Sequence, residues 1–138
     1  MELKNIYRDI IIEHFQNPRN NILKGYKETR LRNPSCGDDV TVECLVEGNN
    51  IKEVNFNGKG CSICCASASI MTDTLKNKTK AKALEIINNY YQMIKGENFN
   101  KDILEEAIVF ENIKYFPART KCAVISWNAI EELINNDK

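Results

Sequence analysis

The sequence predicts an α+β fold, a small three-stranded antiparallel sheet packed against helices. Three observations carry that prediction. Residues 40–47 alternate apolar and polar with a period of two, the pattern of a half-buried strand. A Gly48-Asn49-Asn50 turn follows and leads into a second strand-like run, so the two pair as a hairpin. Beyond Gly60 the spacing is helical, and strands followed by helices in separate blocks give an α+β layering.

Taken in order, Leu3, Ile6, Tyr7, Ile10, Ile11 and Phe15 recur at helical spacing, and Asn17-Pro18 ends that first helix. His14, the only histidine, falls near the helix end, where a solvated or capping role is expected. Residues 19–24 read as a polar connector, and residues 26–32 as the first strand. In the second strand Val40, Val42, Cys44 and Val46 share one face, and Thr41, Glu43, Leu45 and Glu47 the other. Val54 and Phe56 of residues 51–57 face inward with the first set, so Cys44 reads as a small core residue and not a ligand. Ala66-Ser67-Ala68-Ser69 gives the next helix a surface small enough to lie close against a sheet. Residues 80–95 carry Ala83, Leu84, Ile87, Tyr91 and Ile94 at helical spacing and stop at Gly96. Residues 103–110 offer a shorter helix. Pro117 then opens the last one, since its missing N–H does no harm in a first turn.

A chain of 138 residues suits one domain, spanning 1–138, with no internal repeat and no linker long enough to divide it. Its 19 basic and 19 acidic side chains cancel, which gives no reason to expect nucleic acid or an anionic membrane as partner. Apolar runs such as Ile10-Ile11-Ile12 are far too short to span a bilayer. Met1-Glu2-Leu3-Lys4 passes straight into the first helix without a signal-peptide core, so a cytoplasmic location is expected. Six cysteines in such a chain point to metal or sulfur chemistry more than to disulfides.

Three stretches each offer one cysteine suited to a metal. Cys36 lies in Asn33-Pro34-Ser35-Cys36-Gly37-Asp38, a turn that lets Cys36 and Asp38 point at one ion. Cys61 follows Gly58-Lys59-Gly60 and precedes a helix, whose amino-terminal dipole favours a thiolate. Cys122 follows Arg119 and Lys121, whose charges are expected to lower its thiol pKa. Cys36, Asp38, Cys61 and Cys122 thus supply four anionic donors, the number a closed tetrahedral zinc site takes. Lys59, Arg119 and Lys121 are accessory charges able to offset the surplus negative charge, although Lys59 is as readily a solvated surface residue. Cys61-Ser62-Ile63-Cys64 is formally a C-x-x-C, but it lacks the βαβ setting of a redox dithiol and the second pair of a zinc knuckle. Cys64 and Cys65 read as helix packing, with competition for the metal or a disulfide to Cys61 as the alternative.

This ordered set resembles the U-type iron–sulfur assembly proteins, the family of IscU, SufU and the amino-terminal part of NifU. The likeness runs from Ile6-Tyr7-Arg8-Asp9-Ile10-Ile11 to Ser126-Trp127-Asn128-Ala129-Ile130. Two details are similar to the SufU branch: Lys121 stands where IscU-type chains carry histidine, and the interval from Cys61 to Cys122 is long, as if it held an extra helical segment. Cys64 and Cys65 depart from the family motif, in which Gly-Cys-Ser-Ile is followed by other residues. The resemblance implies a SufE/IscU-like fold, zinc as cofactor, a transient iron–sulfur cluster, and a SufS-type cysteine desulfurase as partner. It further implies that the desulfurase displaces one zinc thiolate with its own histidine, and that the freed cysteine takes sulfur onward to downstream assembly proteins. Cys36 is the expected acceptor, because turn backbone shifts at lower cost than the start of a packed helix. Two functions stand open, a zinc-dependent sulfurtransferase and a non-enzymatic scaffold on which a cluster is built. Lys121 favours the first, since a lysine of ordinary pKa ~10.4 is a poor ligand at neutral pH. A purely structural zinc domain is the third reading.

Overall fold

The computed structural model describes residues 3–137. The sheet forms where the alternation placed it. Strand β2 (Asp38–Glu47) is central, paired antiparallel with β1 (Lys27–Asn33) on one side and β3 (Asn50–Lys59) on the other. Val40, Val42 and Cys44 are buried together with Val54 and Phe56, as their shared face requires. Four α-helices complete the chain: α1 (Leu3–Gln16), α2 (Ser62–Leu75), α3 (Lys80–Lys95) and α4 (Pro117–Asn136). Helix α4 lies on β1 and β2, α2 lies on β3, and α1 packs on α2. Among the described residues no helix is long and apolar enough to cross a membrane.

The small residues of α2 do more than permit close approach. Ser67 Oγ donates to the Ala123 carbonyl of α4 at 2.6 Å and accepts from Trp127 Nε1 at 3.0 Å. The Tyr90 hydroxyl of α3 donates to the same carbonyl at 2.7 Å, and its ring stacks on Trp127 with centroids 3.9 Å apart. Three helices are therefore tied at one buried point, one residue beyond Cys122.

The structure departs from the sequence expectation in two places here. Residues 103–110 are not an α-helix; 3₁₀ turns run over Lys101–Ile103 and Glu105–Tyr115. Leu104, Ala107, Phe110 and Ile113 are all buried, and a strict spacing of three suits three residues per turn better than 3.6. His14 is not solvated. It is 2% exposed, its Nδ1 lies 2.7 Å from Ser69 Oγ, and its Nε2 lies 2.8 Å from Glu106 Oε1. The small side chains of α2 leave room for the imidazole where α1 crosses it.

The polar connector after α1 is fixed to the body. Asn20 accepts the Phe56 N–H at its carbonyl (3.0 Å) and donates from Nδ2 to Thr72 Oγ1 (2.9 Å). Residues 24–26 cover the polar face of the sheet and bury Glu43 completely. Its carboxylate accepts the backbone N–H groups of Lys24 (2.8 Å), Gly25 (3.1 Å) and Tyr26 (3.1 Å), and Asn55 Nδ2 (2.7 Å).

Candidate metal centre

The β1–β2 hairpin, the start of α2 and the second turn of α4 converge at one end of the sheet. Asn33 closes the hairpin, its carbonyl accepting the N–H groups of Cys36 (3.1 Å) and Gly37 (2.9 Å). Gly37 adopts φ +74°, the left-handed conformation that glycine tolerates and that turns the chain back into β2. The turn leaves Cys36 half-buried at the tip and Asp38 1% exposed at the first position of β2. Cys122 projects from α4 and is fully buried.

One donor atom from each of Cys36, Asp38 and Cys122 lies within 4.8 Å of the other two. Donors around a tetrahedral zinc with bonds of ~2.0–2.3 Å stand about 3.3–3.8 Å apart, so small side-chain rotations bring these three to bonding separation. Soft thiolates with one carboxylate are also a donor set that zinc accepts. Cys61 is not one of that mutually close trio, but it touches it. Its backbone N–H donates to Asp38 Oδ1 at 3.2 Å, and its side chain is in hydrogen-bond contact with Cys122. As the N-cap of α2 it carries no side-chain capping bond, so its thiol is not committed to the helix. The fold thus brings Cys36, Asp38 and Cys122 together, with Cys61 at their edge.

The charges behave differently from one another. Arg119, in the first turn of α4, interacts with Cys61 and hydrogen-bonds Cys122, and these contacts hold its guanidinium more firmly charged. Lys121 is exposed. Lys59 pairs across the sheet with Asp39, and its charge acts on that carboxylate instead. The expectation that cations lower the Cys122 thiol is not met. Burial pushes it up, and hydrogen bonds from the thiol to Asp38, Cys36 and Cys61 add to the rise. Desolvation inside the helix layer outweighs the exposed Arg119, so a cation bound there would be needed to drive that proton off.

The remaining cysteines lie elsewhere or behind. Cys44 is a core residue opposite Lys27 and Val54, and burial pushes its thiol up to about 11. Cys65 is half-buried, with Sγ 3.7 Å from the Gly60 carbonyl. Cys64 is fully buried beside the Asp38 carboxylate, and burial together with that negative charge pushes its thiol up. Sequence reasoning missed three supports of Asp38: that thiol, the Asn33 amide (Nδ2 to Oδ2, 3.5 Å), and Gly60. A Cβ on Gly60 would overlap Asp38 Oδ1, so the carboxylate can sit there only because the residue before Cys61 has no side chain. The Gly-Lys-Gly run was the available signal for that close approach.

Comparison with known proteins agrees with this geometry. The model of the NifU-like N terminal domain matches residues 6–123. The chain belongs to this U-type family. It is 36% identical over 132 residues to the zinc-dependent sulfurtransferase SufU of Bacillus subtilis, covering 94% of this chain and 90% of that one. It is 33% identical over 135 residues to the iron–sulfur cluster assembly scaffold protein IscU of Streptococcus pyogenes, covering 96% and 85%. A solved structure from Fervidobacterium islandicum, described as an iron–sulfur cluster assembly scaffold for the SUF system, superposes with TM-score 0.83 at 33% identity, covering 94% and 97%. Within the U-type family this chain stands near SufU, and its three-stranded sheet with packed helices is the family's fold.

Proposed function

We propose that the chain, acting as one U-type unit in the cytoplasm, is a zinc-dependent sulfur acceptor for iron–sulfur cluster assembly. Its sulfur comes from a SufS-type cysteine desulfurase and leaves to downstream assembly proteins. The observation that carries the reading is the close trio of Cys36, Asp38 and Cys122, with Cys61 beside it, at the β1–β2 turn. Zinc held there keeps the thiols deprotonated and brings no redox chemistry of its own.

The residues divide the work by mobility. Cys122 is anchored in α4 next to the Ser67–Tyr90–Trp127 tie, and Cys61 caps α2. Cys36 rides on a four-residue turn and is already half-buried rather than enclosed. Its thiolate attacks the terminal sulfur of the donor's persulfide. The sulfur–sulfur bond of the donor breaks, a new one forms at Cys36, and the donor cysteine departs as a thiolate, so no net oxidant or reductant is consumed. Arg119 offsets the negative charge that the four donors concentrate.

The experiment is peptide mass spectrometry after reaction with desulfurase and cysteine, with thiols and persulfides alkylated. A persulfide on Cys36 is expected. One found mainly on Cys61, Cys64 or Cys122, with Cys36 unmodified, overturns the assignment. The scaffold reading has support in relatives named as scaffolds. Against it, the residue before Cys122 is an exposed lysine and not a ligand. Iron and sulfide in place of zinc in anaerobically purified protein would favour the scaffold.

A further inference from the structure

Asp38 is nearly sealed from solvent, yet its conventional donors are few and long: the Cys61 N–H at 3.2 Å and the Asn33 amide at 3.5 Å. A buried carboxylate held this loosely rotates between orientations unless something behind it sets one. Cys64 occupies that place. It lies one helical turn after Cys61 and is fully buried, and its side chain stands beside the Asp38 carboxylate at Gly60. Gly60 shows how tight the packing is. A Cβ built there would overlap Asp38 Oδ1 and stand 3.2 Å from Cys64 Cβ, so carboxylate and thiol share one crevice closed by the glycine.

We propose that Cys64 is a positioning residue, its S–H donating to Asp38 and so fixing the carboxylate for the metal. The inference rests on the zinc reading above. Two alternatives fit less well. A resolving thiol for persulfide chemistry has to reach an exposed sulfur, and Cys64 is enclosed. Packing alone does not call for a polar hydrogen directed at a carboxylate. Metal-ligating carboxylates are commonly oriented by such partners, whose loss costs about 10–100-fold in metal affinity.

The test is zinc affinity by competition with a chromophoric chelator for the wild type, Cys64→Ser, Cys64→Ala, Cys64→Val and Asp38→Ala. Cys64→Ala and Cys64→Val should both weaken zinc by about 10-fold or more. Cys64→Ser, which keeps a donor, should stay close to the wild type. The Val variant fills the volume, so its loss separates the hydrogen bond from packing. Wild-type affinity in Ala and Val overturns the proposal. So does a Ser variant as weak as Ala whose cobalt-substituted spectrum has lost thiolate-to-metal absorption, since Cys64 would then be a ligand. Asp38→Ala tells the two levels apart. If it binds like the wild type, the ligand assignment falls; if it alone loses zinc while all Cys64 variants keep it, only the present inference falls.

Discussion

Asp38 and Glu43 are both buried carboxylates on β2, the first at the start of the strand and the second in its middle. Glu43 accepts four hydrogen bonds of 2.7 to 3.1 Å, three from consecutive backbone N–H groups and one from Asn55. Burial works to raise its pKa, but the bonds from Asn55 and from the Lys24–Tyr26 backbone prevail and hold it below the ordinary value. Asp38 has one backbone N–H at 3.2 Å, a distant amide, and thiols, which are weak donors. The difference teaches how to read a buried acid. Where donors saturate it, it anchors the fold; where they fall short and thiols crowd round, it is built to receive a cation.

The widest separation between the two sites comes from removing the metal. Zinc bound only by the folded chain adds about 4 kcal/mol when free zinc is ~1,000-fold above Kd. Chelation should therefore lower Tm by roughly 10 °C or more in a chain of this size. Equal melting of the zinc-loaded and chelated protein would show that the Asp38 end ties nothing together.

Glu43 should give the converse result. Glu43→Ala removes the acceptor of three backbone N–H groups and of Asn55 and should cost about 3 kcal/mol or more in denaturant unfolding, with zinc content unchanged. The pH dependence follows from the lowered pKa of Glu43. Its contribution is fully present above the unfolded carboxylate value of about 4.3 and is lost as pH falls through the lower folded one. The stability gap between wild type and Glu43→Gln should thus narrow in acid; a gap that widens there would reverse the assignment.

The smallest effect belongs to the cysteine on the same strand. Cys44→Ala removes one buried sulfur and should cost about 1 kcal/mol, with full zinc retention. Its thiol, pushed up to about 11, should resist iodoacetamide in the native protein at pH 8. Rapid native alkylation of Cys44, or zinc loss in the Ala variant, would place it with the site and not the core.

Much of this was legible before any coordinates. The period-two run fixed which face of β2 is apolar, and the Pro/Gly turn placed Cys36 and Asp38 together, because both are local properties of backbone. Pro117 and Gly96 marked helix ends for the same reason. What escaped depends on contacts distant in sequence. His14 finds Ser69 and Glu106, and Glu43 finds the connector, only after the layers assemble. The rise of the Cys122 thiol was missed because charge is written in the sequence and desolvation is not. Cys64 looked like filler because nothing along the chain says that a helix position faces a carboxylate on a different element.

The most direct test is zinc content per chain after a mild chelator wash, measured by elemental analysis on the wild type, Glu43→Gln, Asp38→Ala and Cys61→Ala. One zinc per chain is predicted for the wild type and Glu43→Gln, reduced occupancy for Asp38→Ala, and none for Cys61→Ala. Full occupancy in Cys61→Ala or Asp38→Ala, or loss of zinc in Glu43→Gln, would contradict the distinction between the two carboxylates.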